Sequence, residues 1–444
     1  MSLAKKGLGA AAHGVRSLGN RNYRLFWFGQ LLSLGGTWMQ DVALSWLVLS
    51  LTDSPVALGL TMAIRFLPVL LFSLHGGVLA DRLPKRQTII VAEVIQLLVA
   101  LTLAILTSTE LVTVTLIYAL AAVRGMVDAV EGPTRQAFVP EMVVTEDLSN
   151  AIALNSTQFN AARMAGPAIG AVVISTMGIA ACFYLNALSF LAVIGALLAM
   201  RPSELHTVPR APRDNSFRQL KEGFRYARST PEVVVILIVM GAIGAFGYNF
   251  QTLLPLVTKY VLDSGATTLA LLTTSMGVGS IVAGAVVAYR GKLSQRLLLA
   301  AAGGFVILLA LVGLSSQAGV TAVLLFMIGF AGVLFMTTAN TRLQLSVPGH
   351  MRGRVMGIYA LLFVGTTPIG SLLIGQMAEH VGVQATVLAM AGLCGAGVVA
   401  GLLYARRTAP LTGGGGRMVP ALSGDSRQRA LEYGDTVEEG RRPA

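Results

Sequence analysis

Long apolar runs separated by short polar connections dominate this sequence. A helix that crosses a bilayer needs about 20 mostly apolar residues. Twelve runs of that kind can be read, at 23–51, 56–80, 87–108, 111–131, 150–176, 180–200, 231–261, 267–289, 294–315, 319–340, 354–379 and 383–405. Inside hydrocarbon a segment must satisfy its own backbone hydrogen bonds, so unbroken runs of this length predict helices, whereas a barrel would need short alternating strands. Turn-forming residues end the runs, as in Thr52-Asp53-Ser54-Pro55 and Asp263-Ser264-Gly265. Charged residues make up 12% of the 444 residues and apolar ones 54%, which excludes a disordered chain and almost every soluble enzyme fold. The two cysteines, Cys182 and Cys394, both lie in apolar runs and imply no disulfide framework.

Orientation follows from where Lys and Arg fall. With the N-terminus in the cytoplasm, 29 of the 33 basic residues lie in cytoplasmic segments and none in an outer loop. The other four are Arg65, Arg124 and Arg163 inside helices and Lys259 at an outer helix end. One helix more or fewer would scramble this alternation. The expected organisation is a cytoplasmic segment 1–22, a six-helix bundle 23–200, a basic cytoplasmic linker 201–230, a second six-helix bundle 231–405 and a disordered cytoplasmic tail 406–444. Within the linker, Phe217, Leu220, Phe224 and Tyr226 alternate with Arg218, Lys221, Arg225 and Arg228, the pattern of an amphipathic helix on an anionic leaflet.

The two halves echo each other. The connection read after helix 4, Pro133 to Pro140, contains Thr-Arg and Val-Pro, and so does the one after helix 10, Asn340 to Pro348. Pro167-Ala168-Ile169-Gly170 in helix 5 is answered by Pro368-Ile369-Gly370 in helix 11. Six-helix repeats of this kind are a transporter architecture with a substrate site between the halves.

Between helices 2 and 3 the chain reads Gly76-Gly77-Val78-Leu79-Ala80-Asp81-Arg82-Leu83-Pro84-Lys85-Arg86. This resembles the signature loop of the major facilitator superfamily, with Pro84 where that family usually has glycine. Arg163-Met164-Ala165-Gly166-Pro167-Ala168-Ile169-Gly170 resembles the antiporter motif of its exporters. Trp38-Met39-Gln40, Phe183-x-x-Asn186-Ala187 and Arg352-Gly353-Arg354-Val355-Met356 resemble the branch of the enterobactin exporter and bacterial drug exporters. The resemblance spans residues 18–405. It implies an all-α fold of twelve transmembrane helices in two pseudo-symmetric bundles, working by alternating access. It also implies a latch in which Gly77, Asp81, Arg82 and Arg86 of the loop act with Glu131 at the end of helix 4, and an antiporter motif made by Gly166, Pro167 and Gly170.

Ionisable groups deep in a membrane helix are costly, so they pair or they function. Asp41 lies well inside helix 1 and is a candidate proton carrier, with Arg124 as partner and Asp128, one turn along helix 4, as the next candidate. Arg65 and Arg163 could meet an anionic substrate or neutralise Asp41, and Tyr248, Asn249 and Gln251 could line the cavity. Glu93, about two turns from the inner end of helix 3, reads as solvated. No phosphate-binding loop and no His/Cys cluster with metal spacing is present, so neither an enzyme nor a cofactor is expected. The expected protein is a monomeric, proton-coupled exporter of a hydrophobic or amphipathic small molecule in the bacterial inner membrane. Its partners would be substrate, protons and lipid, without nucleic acid. An importer, a lysophospholipid flippase or a non-transporting receptor on the same fold are the alternatives.

Overall fold

The computed structural model describes residues 16–206, 216–290 and 293–408. Six rods make the first half: α1 Arg21–Thr52, α2 Pro55–Arg82, α3 Lys85–Ser108, α4 Val114–Met142, α5 Leu148–Met177 and α6 Ile179–Leu198. Six make the second: α7 Pro231–Val261, α8 Ala266–Arg290, α9 Gln295–Leu314, α10 Ala318–Ser346, α11 (Gly349–Val364 then Thr367–Val381) and α12 Val383–Thr408. Both halves belong to one compact unit that ends at Leu402. The expected tail lies outside the described residues beyond 408.

Polar side chains begin several rods, where the first backbone N–H groups have no helical partner. Asn20 caps α1, Ser54 caps α2 ahead of Pro55, Thr113 caps α4 and Ser294 caps α9. Among the described residues, nine rods contain a stretch long and apolar enough to cross a membrane. The three that do not are α1, α4 and α5. These three carry Asp41, Arg124, Asp128 and Arg163, of which Asp41 and Arg163 face the central cavity.

The halves repeat one packing scheme. Helices α2 and α4 cross backbone to backbone: a Cβ on Gly76 would strike the Ala129 carbonyl, and one on Gly125 the Arg65 carbonyl. Helices α8 and α10 do the same, with Gly279 against the Phe326 carbonyl and Gly329 against that of Met276. Close approach of this kind is how membrane helices gain packing energy without a hydrophobic drive.

Two expectations need correction. Residues 133–140, read as a connection, continue α4 to Met142. Pro133 removes the helical donor to the Ala129 carbonyl, but that carbonyl lies against Gly76, and the α2 contact holds the rod together past the proline. The second connection, from Asn340, is likewise helical as far as Ser346. The linker does form a helix, Ser216–Ser229, and one face of it also meets protein: Glu222 pairs with Arg354 at 2.7 Å, Gly223 lies against the Arg354 backbone, and the Tyr226 hydroxyl donates to the Ser346 carbonyl at 3.4 Å. Phe224 stays exposed.

Candidate functional site: a charged cavity between the two halves

A cavity of about 630 Å³ lies between the halves, walled by α1, α2 and α5 on one side and α7, α8, α10 and α11 on the other. Its end away from the linker is shut. Helix α2 meets α11 there, with Gly59 against the Ser371 carbonyl and the Gly375 backbone, and halfway along the rods α5 meets α8 through Met164 and Gly277. The α1–α2 turn adds polar ties. Asp53, left-handed at φ 48° as the C-cap of α1, takes Lys259 Nζ at 2.8 Å and the Tyr260 hydroxyl at 2.9 Å. These donors hold the Asp53 carboxyl below its usual range. Lys259 also donates to the Leu49 carbonyl at 2.6 Å, and Ser54 to Glu379 at 3.1 Å. Toward the linker end, the lining residues Thr157, Asn160, Gly284 and Ala285 are exposed, so the cavity opens that way.

Asp41 sits on the cavity wall and is 4% exposed. Its Oδ1 accepts from Arg65 at 2.7 Å and from Arg124 at 2.8 Å. Gln251 of α7 reaches its Oδ2 at 3.4 Å, a contact between the halves, and Ser45 closes the turn by donating to the Asp41 carbonyl at 2.9 Å. The expected meeting of Asp41 with Arg124 is therefore present. Of the two places expected for Arg65, the structure shows the second, against Asp41. Arg65 does not line the cavity. Asp128, the next candidate carboxylate, accepts from Gln96 at 2.7 Å and lies 4.0 Å from Arg65 Nε. The bare Nε of Arg65 has no other partner. Two buried guanidiniums thus share buried Asp41 and half-buried Asp128, and pairing is what makes such burial tolerable.

Arg163 does line the cavity, one helical turn toward the linker. Its guanidinium lies 5.8 Å from the Trp38 ring centre and 5.6 Å from that of Tyr248. Tyr248 is in turn stacked on Phe305, with ring centres 5.8 Å apart. Trp38 is one turn before Asp41 on α1, and Tyr248 one turn before Gln251 on α7, so the two layers share their helices. Tyr248 and Asn249 stand at a break in α7. The rod passes through a π turn at Ile243–Gly247 and leaves helical geometry at these two residues before resuming at Phe250. Asn249 donates to the Ala245 carbonyl at 2.7 Å and accepts from Ser371 at 3.4 Å. Gly370 permits this contact, since a Cβ there would strike Ala245 and Asn249. In the first half, Gly166 and Gly170 beside Pro167 give α5 the equivalent seat on Trp38 and Met39 of α1. The sequence reading found neither the break nor the ring partners of Arg163. Gly241, Gly244 and Gly247 were the available signal for the break.

A second buried charge cluster lies toward the linker end of the first half. Glu93, expected to be solvated, is fully buried. It accepts from Gln30 at 2.9 Å and lies 3.6 Å from Arg135, which also pairs with Glu131. Arg86 donates to the Leu197 and Leu198 carbonyls at the end of α6, Lys85 pairs with Glu141 at 2.6 Å, and Arg82 is exposed. Glu131 thus has Arg135, not Arg82 or Arg86, as its partner in this conformation. Gly77 is half-buried in the last turns of α2, and the Asp81 side chain lies outside the described residues.

The model of the transmembrane secretion effector family matches residues 13–410. The staphyloferrin A transporter of Staphylococcus aureus is 28% identical over 381 residues, covering 84% of this chain and 94% of that protein. The multidrug efflux pump Tap of Mycolicibacterium fortuitum is 25% identical, covering 82% of this chain and 91% of that protein. The enterobactin exporter EntS of Escherichia coli is 24% identical, covering 85% and 89%. Among solved structures, a bacterial homolog of the human lysosomal transporter Spinster superposes with a TM-score of 0.70 at 13% identity, covering 90% of this chain and 99% of that one. That likeness concerns the fold alone. With twelve rods in two matching bundles around a central cavity, and a family match over nearly its whole described length, the chain belongs to the transmembrane secretion effector family of major facilitator superfamily transporters and is a multi-pass inner-membrane transporter, not an enzyme.

Proposed function

We propose that the protein exports a hydrophobic or amphipathic small molecule by alternating access, in exchange for protons. The observation that carries this reading is a cavity shut at one end only, with a carboxylate on its wall that contacts both halves. The linker end is cytoplasmic on the Lys/Arg distribution, so the present conformation loads from inside the cell. The names of two relatives, an efflux pump and an exporter, support the outward direction.

Asp41 suits the coupling role because its partners lie on helices that need not move together. Arg65 and Arg124 belong to its own half, while Gln251 belongs to the other. A rocking motion that draws α7 away strips Asp41 of Gln251 and lets water reach it from the far side. A proton taken up there discharges the carboxylate and frees the two arginines from it, and the return motion delivers the proton inward. Asp128, 4.0 Å from Arg65, is placed to receive that arginine meanwhile. The signature-loop residues Gly77, Asp81, Arg82 and Arg86, with Glu131, lie at the linker end and would latch it in the opposite conformation.

The test begins with compounds retained by a deletion strain. Each is offered to inverted membrane vesicles under an imposed pH gradient. Wild-type protein should concentrate the retained compounds, and Asp41→Asn should not, while still exchanging them downhill. Proton movement with substrate that survives Asp41→Asn would move coupling to another carboxylate. Accumulation by intact cells in place of loss would establish an importer.

A further inference from the structure

Among the described residues, the cavity wall carries two charged side chains, Asp41 and Arg163. They stand in opposite electrical situations. Asp41 is overmatched by two guanidiniums set behind it. Arg163 forms no ion pair and no hydrogen bond with any described residue. What holds it is a pair of aromatic faces, Trp38 from the first half and Tyr248 from the second. Rings attract a guanidinium through their quadrupole and fix its position, but they leave its charge and its N–H donors unspent. An ionisable side chain at this depth either pairs or faces a cavity where it can meet a ligand, and Arg163 is half-buried on the cavity wall. Here the remaining wall is mostly apolar, with Val42, Met62, Phe66, Leu269 and Met276 among its members.

Resting on the export reading above, we propose that Arg163, clasped by Trp38 and Tyr248, is the binding site for the anionic head of the substrate, which is an amphipathic anion with an apolar or aromatic body. A planar carboxylate, sulfonate or phenolate group can take two parallel N–H donors of the guanidinium while its body lies along the rings and the apolar wall. The volume of about 630 Å³ suits a drug-sized body. A lipophilic cation meets the wrong sign at this point, because the one acidic group on the wall is already bound by two arginines. Since one ring comes from each half, a head seated on Arg163 touches both, and its departure loosens a contact that spans the cavity.

The test uses two probes of matched shape, 2-naphthoate and 2-naphthyltrimethylammonium, in equilibrium dialysis against the full-length protein in zwitterionic nanodiscs, with empty nanodiscs as the blank. Saturable binding of the anion alone is expected. Arg163→Gln should weaken it by about tenfold or more, the loss of one charge-assisted contact. Arg163→Lys should fold as well as wild type and keep the preference for the anion, with weaker binding. Equal binding of both probes by wild type, or anion binding unchanged in Arg163→Gln, would overturn the site. No gradient is present in this measurement, so it is separate from the export reading. Selective anion binding by a protein that transports nothing would leave the site standing and remove the exporter. Export of cationic compounds at an unchanged rate by Arg163→Gln would do the reverse.

Discussion

Glu93 makes its contacts without any exposed surface: Gln30 at 2.9 Å, Ser33 at 3.5 Å and Arg135 at 3.6 Å. Glu93→Leu leaves the Gln30 amide and the Ser33 hydroxyl of α1 buried without an acceptor, at about 1–3 kcal/mol for the stranded donors. The purified variant should therefore show a lower thermal midpoint in detergent than Glu93→Gln, which keeps an acceptor. Glu93→Gln should also leave export intact, because Glu93 faces the interior of one bundle and does not line the cavity. Loss of proton movement in that variant would place coupling here and not at Asp41. Single residues also mark where sequence reading ends. Asp41 and Arg124 stand out as charges in apolar runs, and both do lie inside helices. That Arg65 shares the same oxygen depends on how α1, α2 and α4 rotate about their axes, which no spacing within one helix contains. The burial of Glu93 is not legible from its depth along α3, because the side that faces α1 decides it.

Helix α7 and helix α11 are the interrupted elements of the second half, broken at Tyr248–Asn249 and at Gly365–Thr366. The breaks put a hydroxyl, an amide and two rings where a regular helix would present one narrow stripe. Apolar periodicity finds a rod of the correct length and says nothing of a break within it. Prolines misled in the other direction at Pro133 and Pro140, because tertiary contact outweighs the local preference. A different glycine controls the closed end. At Gly59 a side chain would meet the Ser371 carbonyl and the Gly375 backbone across the gap between α2 and α11. Gly59→Val should wedge that end open while leaving each bundle intact. In a background with Cys182 and Cys394 replaced by serine, a cysteine at Gln251 should react with an impermeant maleimide from outside the cell faster with Gly59→Val than without it. Equal rates would mean that this contact does not hold the end closed.

Across the whole molecule, the repeat of α2–α4 crossing in α8–α10 was foreshadowed by short sequence echoes, and the count of twelve crossings by charge and hydropathy together. The electrical state of the cavity was not. Arg65, Arg124, Asp41 and Asp128 sum to zero, and Arg163 adds one positive charge. A carrier with that balance is neutral when it holds a monovalent anion and cationic when empty, and the proton that Asp41 carries on the return leg adds a second positive charge. The cell interior is negative, so voltage pulls the empty, cationic carrier back toward the inside after each release. Each elementary charge moved through 100 mV is worth about 2.3 kcal/mol, roughly a fiftyfold concentration ratio. Expulsion could then run on voltage without any pH difference. An inside-negative potassium diffusion potential set with valinomycin should drive 2-naphthoate out of right-side-out proteoliposomes at equal pH on both sides, and the flux should rise with the imposed voltage. A flux indifferent to voltage would mean that the empty carrier returns uncharged. The lone guanidinium between two rings thus makes the membrane potential itself a fuel for this protein.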